Sequence, residues 1–230
     1  MKRLVLLGEG HGETAALPIL VRKILQDRHE VIRLPLYDPV LRSKPAQLVK
    51  WDKEKSRADY QKWIERVALA ARYADGGGIL AVFDGDAKEF PAGSSFPFCA
   101  ATAAREMVKA ASEAGAGKIC SLAVVFACVE YETWLIAGLE SFVGRRLEDG
   151  SVPLREGLKF PSGDWESHGK RWLEKNFPGY RPTRHQSALT ARLDLGVVRE
   201  KNLRSFARLE NAIEQILDSV ERDVFISTPN

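Results

Sequence analysis

Three short apolar runs, Leu4–Leu7, Ile79–Phe83 and Ile119–Val129, do most to limit what this chain can fold into. Runs of this length without polar alternation describe strands buried on both faces, the pattern of a parallel sheet. Helical spacing fills the gaps between them. Ala15–Gln26 places Leu17, Leu20, Val21, Ile24 and Leu25 on one face, with Pro18 early enough to be tolerated. Ala58–Tyr73 does the same with Tyr60, Trp63, Ile64, Val67, Ala70 and Ala71, and Ala100–Ala114 carries Met107 and Val108. A further strand is expected at Val31–Leu34, ended by Pro35 and Pro39, and a helix at Thr133–Ala137. Strand and helix alternate up to that point, which predicts an α/β fold: a mainly parallel, Rossmann-like sheet with helices on both faces. Right-handed crossovers then bring the carboxyl ends of the strands to one edge.

Each apolar run ends in carboxylates. The first continues as Gly8-Glu9-Gly10-His11-Gly12-Glu13, the second as Asp84-Gly85-Asp86, the third as Glu130-Tyr131-Glu132. The glycines of the first turn invite a nucleotide loop, but no Lys-Ser or Lys-Thr follows them, and Glu13 stands where GxGxxG needs its third glycine. An acidic loop repels phosphate unless a cation lies between them. Taken singly, Glu13 suits the first turn of any helix, and Asp-Gly-Asp makes turns. Taken together, three acidic strand ends on one edge repel each other unless cations or protons relieve them. Hard oxygen ligands select Mg2+ or Mn2+, and phosphoryl transfer is the usual use of such a site.

The rest of the chain sets bounds. Its 230 residues suit one large domain with an appendage, expected as an α/β core over 1–143 and a helical C-terminal extension, 144–230, packed on it. Helices are expected at Trp165–Asn176, Arg184–Leu195 and Ser205–Val220, with fraying last residues. A net charge of +3 is too small to mark a nucleic-acid binder, so a basic footprint must be local. Leu41–Arg57 is the place for one, with Arg42, Lys44, Lys50, Lys53, Lys55 and Arg57 against Asp52 and Glu54; it reads either as a solvated face or as a margin that meets a polyanion. The loop Ala87–Phe98 is expected to be exposed. Cys99, Cys120 and Cys128 lack metal spacing and are expected to be reduced and buried. No apolar stretch approaches the ~20 residues needed to cross a membrane, and the N-terminal run is too short for a signal peptide, so a cytoplasmic protein is expected. His11 reads as a metal ligand or an exposed turn residue, and the five tryptophans as packing anchors.

GEGxxE at a strand end, an aspartate pair two strands later and a further acidic strand end resemble the Toprim fold of topoisomerases, DnaG-type primases and OLD-family nucleases. More closely, GEGHGETAALPIL, FDGD, VEYETWLIAG, HQSALTARLDL and RSFARLENAI resemble the bacterial DUF4276 family, over most of the chain. The resemblance implies a metal-dependent nuclease for DNA or RNA, acting with an ABC/SMC-type partner ATPase in phage defence. The alternative it leaves is a non-catalytic effector that works through that ATPase. It assigns Glu9 as metal ligand or general acid/base, Asp84 and Asp86 as metal-holding catalytic residues, Glu13 as the second glutamate of an ExxxE pattern, and Glu130 or Glu132 as the last acidic ligand. OLD-like sites also use a lysine near the last acidic motif. None stands beside Glu130, so Lys88, Arg184, His185 or Lys201 is expected to supply that charge, and Lys88, Arg184 and His185 to meet nucleic acid.

Overall fold

The computed structural model describes residues 1–28, 34–145, 157–161 and 169–230. The element order begins β1 (Leu4–Gly8), α1 (His11–Arg28), β2 (Leu41–Arg42), α2 (Pro45–Leu48), β3 (Lys50–Asp52), β4 (Arg57–Asp59), α3 (Gln61–Ala74), β5 (Gly78–Phe83), α4 (Ala100–Ala111) and β6 (Ser121–Phe126). It continues α5 (Glu132–Ala137), α6 (Gly169–Asn176), α7 (Pro182–Arg192), α8 (Leu195–Glu200), α9 (Arg204–Glu221) and β7 (Ser227–Pro229). Five strands form one sheet in the order β2-β1-β5-β6-β7, every pair parallel; β3 and β4 form a separate antiparallel hairpin.

The apolar runs are buried on both faces as expected, and the period of two divides them. Leu4, Leu6, Leu80, Val82, Ala123 and Val125 face a core shared with α1, α5, α7 and α9. Val5, Leu7, Ile79, Ala81, Phe83, Leu122, Val124 and Phe126 face α3 and α4. The chain after residue 144 therefore supplies part of one covering layer: α9 lies across β5 and β6, burying Phe206, Leu209, Ile213, Ile216 and Leu217.

Several boundaries differ from expectation. Helix α1 begins at His11, because the Glu13 carboxylate folds back to accept the N–H groups of Glu9 and Gly10, at 3.1 and 3.0 Å. Pro18 consequently sits inside the helix rather than in its first turn. The last residues do not fray. They add β7 to the edge of the sheet, and Ser121 Oγ accepts the Ile226 N–H at 3.2 Å just before it. The strand expected at Val31–Leu34 falls almost wholly outside the described residues; the described edge is β2, with a bridge from Leu4 to Leu36. Trp165 also lies outside them. Only Cys120 of the three cysteines is buried, Cys99 and Cys128 being exposed. Trp63 and Trp134 are anchors indeed, fully buried, with indole N–H bonds to Met107 O and Ser205 Oγ. Among the described residues no helix is long and apolar enough to cross a membrane.

Candidate functional site

The register Gly8↔Val82 and Phe83↔Phe126 sets the carboxyl ends of β1, β5 and β6 side by side. Glu9 and Asp84 are the first residues past their strands, so both enter the same half-buried crevice at the edge of the sheet. The Asp84 N–H points to the Glu9 carboxylate. Asp84 Oδ1 accepts the Tyr131 N–H at 2.9 Å, and the Gly85 N–H donates to Val129 O at 2.6 Å, latching the end of β5 to the segment after β6. Glycine is required at 85 because a Cβ there would stand 2.5 Å from Ala127 O. Gly85 thus allows the close approach that holds Asp84.

The other carboxylates surround this pair. Glu13 caps α1 through the bonds given above, as well as adding charge to the crevice. Asp86 is exposed, at the start of the loop. Glu130 Oε2 accepts the Lys170 N–H at 2.8 Å, so it caps α6. Glu132 is buried, and its Oε1 accepts Tyr180 Oη–H and Gln186 Nε2–H, each at 3.0 Å. The last acidic motif therefore divides: Glu130 stays half-exposed, whereas Glu132 lies beneath the crevice in a polar network.

Several of these carboxyls act on one another's ionisation. Burial, then the charges of Glu13 and Asp86, push the Glu9 carboxyl up to about 7. Burial, then Glu13, Glu132 and Glu9, hold Asp84 well above the usual carboxylate range. Burial raises Glu13 against the pull of its two backbone N–H donors. Burial again is the main cause for Glu132, pushed up to about 7, with Glu130 and Glu13 adding to it. Carboxyls that resist ionisation because of their neighbours are a common mark of a working site. Among the described residues no three His, Cys, Asp or Glu side chains already converge as a ready-made ligand set.

The cations expected near the site are placed as follows. Lys88 is exposed two residues past Asp86, and Arg184 is exposed in the first turn of α7. His185 is buried; its Nδ1 accepts the Arg181 N–H at 2.8 Å and its ring packs on Phe177 and Tyr180, so it helps to fix the start of α7. Lys201 pairs with Glu140 at 2.8 Å and lies over the Phe160 ring. Two other lysines act on the acidic cluster: Lys44 favours ionised Glu9, and Lys170 favours ionised Glu13. Lys170 had no local signal, since it is 40 residues from Glu130; Lys44 lay within the basic stretch already noted. His11 is an exposed residue at the mouth of the crevice, where its ring nitrogens meet Arg42 Nη1.

A second close approach places the helices behind the site. Gly12 of α1 lies against Pro182 and Gln186 of α7, with 2.7 Å from its would-be Cβ to Pro182 C. The same Gln186 binds Glu132, so the glycine-rich turn and the last acidic motif are tied through α7.

Neither the curated proteins nor the solved structures gave a match to this chain. A family model described as "Domain of unknown function (DUF4276)" matches residues 8–214, which include every acidic residue of the crevice and the helices behind it; the chain belongs to the DUF4276 family.

Proposed function

We propose that the protein is a Mg2+- or Mn2+-dependent phosphodiesterase acting on DNA or RNA, with a Toprim-like core related to OLD-family nucleases. The observation that carries this reading is that Glu9, Asp84 and Glu13 are partly buried at adjoining strand ends, burial first raising all three and the Glu13 charge adding to Glu9 and Asp84. A hard divalent cation fits the donors there, because all are carboxylate oxygens and because it would offset the charge of carboxylates that burial now disfavours. When bound, such an ion acidifies water and offsets charge on a phosphoryl oxygen. Glu9, Asp84 and Asp86 are the holding residues, with Glu130 at the margin. Glu13 and Glu132 are engaged by backbone N–H groups and by Tyr180 and Gln186, so they shape the field of the crevice. Arg42, Lys44 and Lys170 are placed to draw a phosphate backbone to the edge.

The test is Mn2+-dependent cleavage of labelled DNA and RNA by wild type, Glu9→Gln and Asp84→Asn, with folding checked by circular dichroism. Loss of cleavage in both variants supports the reading; cleavage retained in both overturns it. A second reading, a non-catalytic effector acting through a partner ATPase, is favoured by the hydrogen bonds that already engage Glu13 and Glu132. Protein that cleaves nothing alone, yet assembles with and switches such an ATPase, would establish it.

A further inference from the structure

An open hollow of about 550 Å³ lies between α2, β3 and α3, and its lining residues are all outside the acidic crevice. Its walls follow from two sequence periods. In α3 the face carrying Trp63, Val67 and Ala70 is buried in the core. Lys62, Arg66 and Leu69 fall at i, i+4 and i+7, so they form another stripe of that helix, and all three line the hollow. In β3 the side chains alternate. Trp51 meets the Phe96 ring, whereas Lys50, on the opposite face of the strand, lines the hollow. Gln47 and Leu48 of α2, which packs on α3, complete it.

Positive charge leads in this hollow. Lys50 and Lys62 are exposed, Arg66 is half-buried, and among the described residues none of the three forms an ion pair. Lys62 and Arg66 stand one helical turn apart, a spacing at which like charges repel. One acid, Glu65, lines the hollow with them, and its Oε1 accepts the Gln61 side-chain N–H at 2.9 Å. Asp59 lies opposite Lys50 in the hairpin register, but it accepts the Gln61 backbone N–H at 2.9 Å at the start of α3. Even with Asp59 counted, three cations face two acids. The hollow also has an apolar part: Leu48 is nearly buried, and Leu69 is 36% exposed on a stripe whose other members are charged. A half-buried guanidinium without a carboxylate is a group that phosphate oxygens satisfy two at a time, and lysines add point charges beside it. The volume is that of a small-molecule pocket, where a few polar groups fix one end of a ligand and apolar side chains cover the other.

We infer that this hollow binds a small phosphorylated molecule of the nucleoside diphosphate class: its phosphate oxygens meet Arg66, Lys62 and Lys50, and its ring system covers Leu48 and Leu69. The inference goes beyond the phosphodiesterase reading and does not rest on it, since none of these residues belongs to the proposed cation site. Calorimetric titration of the whole chain with adenosine diphosphate and with inorganic pyrophosphate, in metal-free buffer of low ionic strength, tests it. Wild type should bind both, the nucleotide more tightly. Lys62→Gln and Arg66→Gln should each weaken both probes about tenfold. Arg72→Gln removes the same charge from the same helix outside the hollow and should leave both unchanged. Leu69→Ser should weaken the nucleotide and spare pyrophosphate. Melting curves check that each variant folds, and Lys62, being exposed, keeps the test open if the half-buried Arg66 is needed for folding. Weakening confined to the variants of the hollow supports the site. Failure of wild type to bind either probe, or equal weakening by Arg72→Gln and Lys62→Gln, would overturn it.

Discussion

Glu132→Gln should stabilise this protein at neutral and alkaline pH in the absence of divalent ions. The amide has nearly the shape of the carboxyl, and its oxygen can still accept from Tyr180 Oη and Gln186 Nε2. What it removes is the cost of ionising a buried group. The Glu132 carboxyl is pushed from 4.5 up to about 7, so the folded state holds its proton more tightly than the unfolded chain. That contribution is fully present below 4.5 and is lost as pH rises through about 7. At about 1.4 kcal/mol for each pKa unit, the wild type forfeits about 3 kcal/mol by pH 8 but only about 1.4 kcal/mol at pH 5.5. The variant's advantage should thus widen by about 2 kcal/mol between those two conditions. Urea unfolding in EDTA at both pH values measures it, and melting should show the variant higher at pH 8 by several degrees. An advantage that is constant with pH, or that shrinks as pH rises, would refute the argument that Glu132 is a strained buried carboxyl.

Gly12→Ala should destabilise by about 1–3 kcal/mol, because the added methyl meets Pro182 backbone and the Gln186 amide; a melting curve unchanged from wild type would show that α1 and α7 can part cheaply. Mn2+ affinity should fall by at least about tenfold for each pH unit below 7, since the ion must displace the Glu9 proton and that of Asp84, which burial also holds on. A flat profile from pH 5 to 8 in a calorimetric titration would mean that Glu9 holds no ion.

Much of the sheet was legible because burial on both faces leaves a direct trace. Leu4–Leu7 and Ile79–Phe83 contain no polar residue, and runs this short bounded by glycine are the pattern of strands covered on both faces. Two of the acidic strand ends were legible for the same reason, Glu9 and Asp84 following their strands at once; the third was not, because β6 stops at Phe126 and Ala127–Val129 part it from Glu130. What escaped depended on tertiary contacts. Ser227–Pro229 has no apolar run and becomes a strand only because β6 offers an unpaired edge. The start of α1 is set by a carboxylate that reaches back across glycines, which a hydrophobic period starting at Leu17 does not register. His185 has the sequence setting of an exposed helix start, yet α7 turns it onto Phe177 and Tyr180. Lys170 reaches the crevice only because Glu130 caps α6, and the different fates of Glu130 and Glu132 follow from which of them Tyr180 and Gln186 can reach.

The central claim is that Glu9, Asp84 and their neighbours form one cation site. Electron paramagnetic resonance of Mn2+ titrated into wild type and Asp84→Asn at pH 8 tests it before any substrate is chosen. The account predicts saturable loss of the free-ion signal with wild type and its persistence with a folded Asp84→Asn protein. Equal uptake by both, or no uptake by wild type, would contradict it.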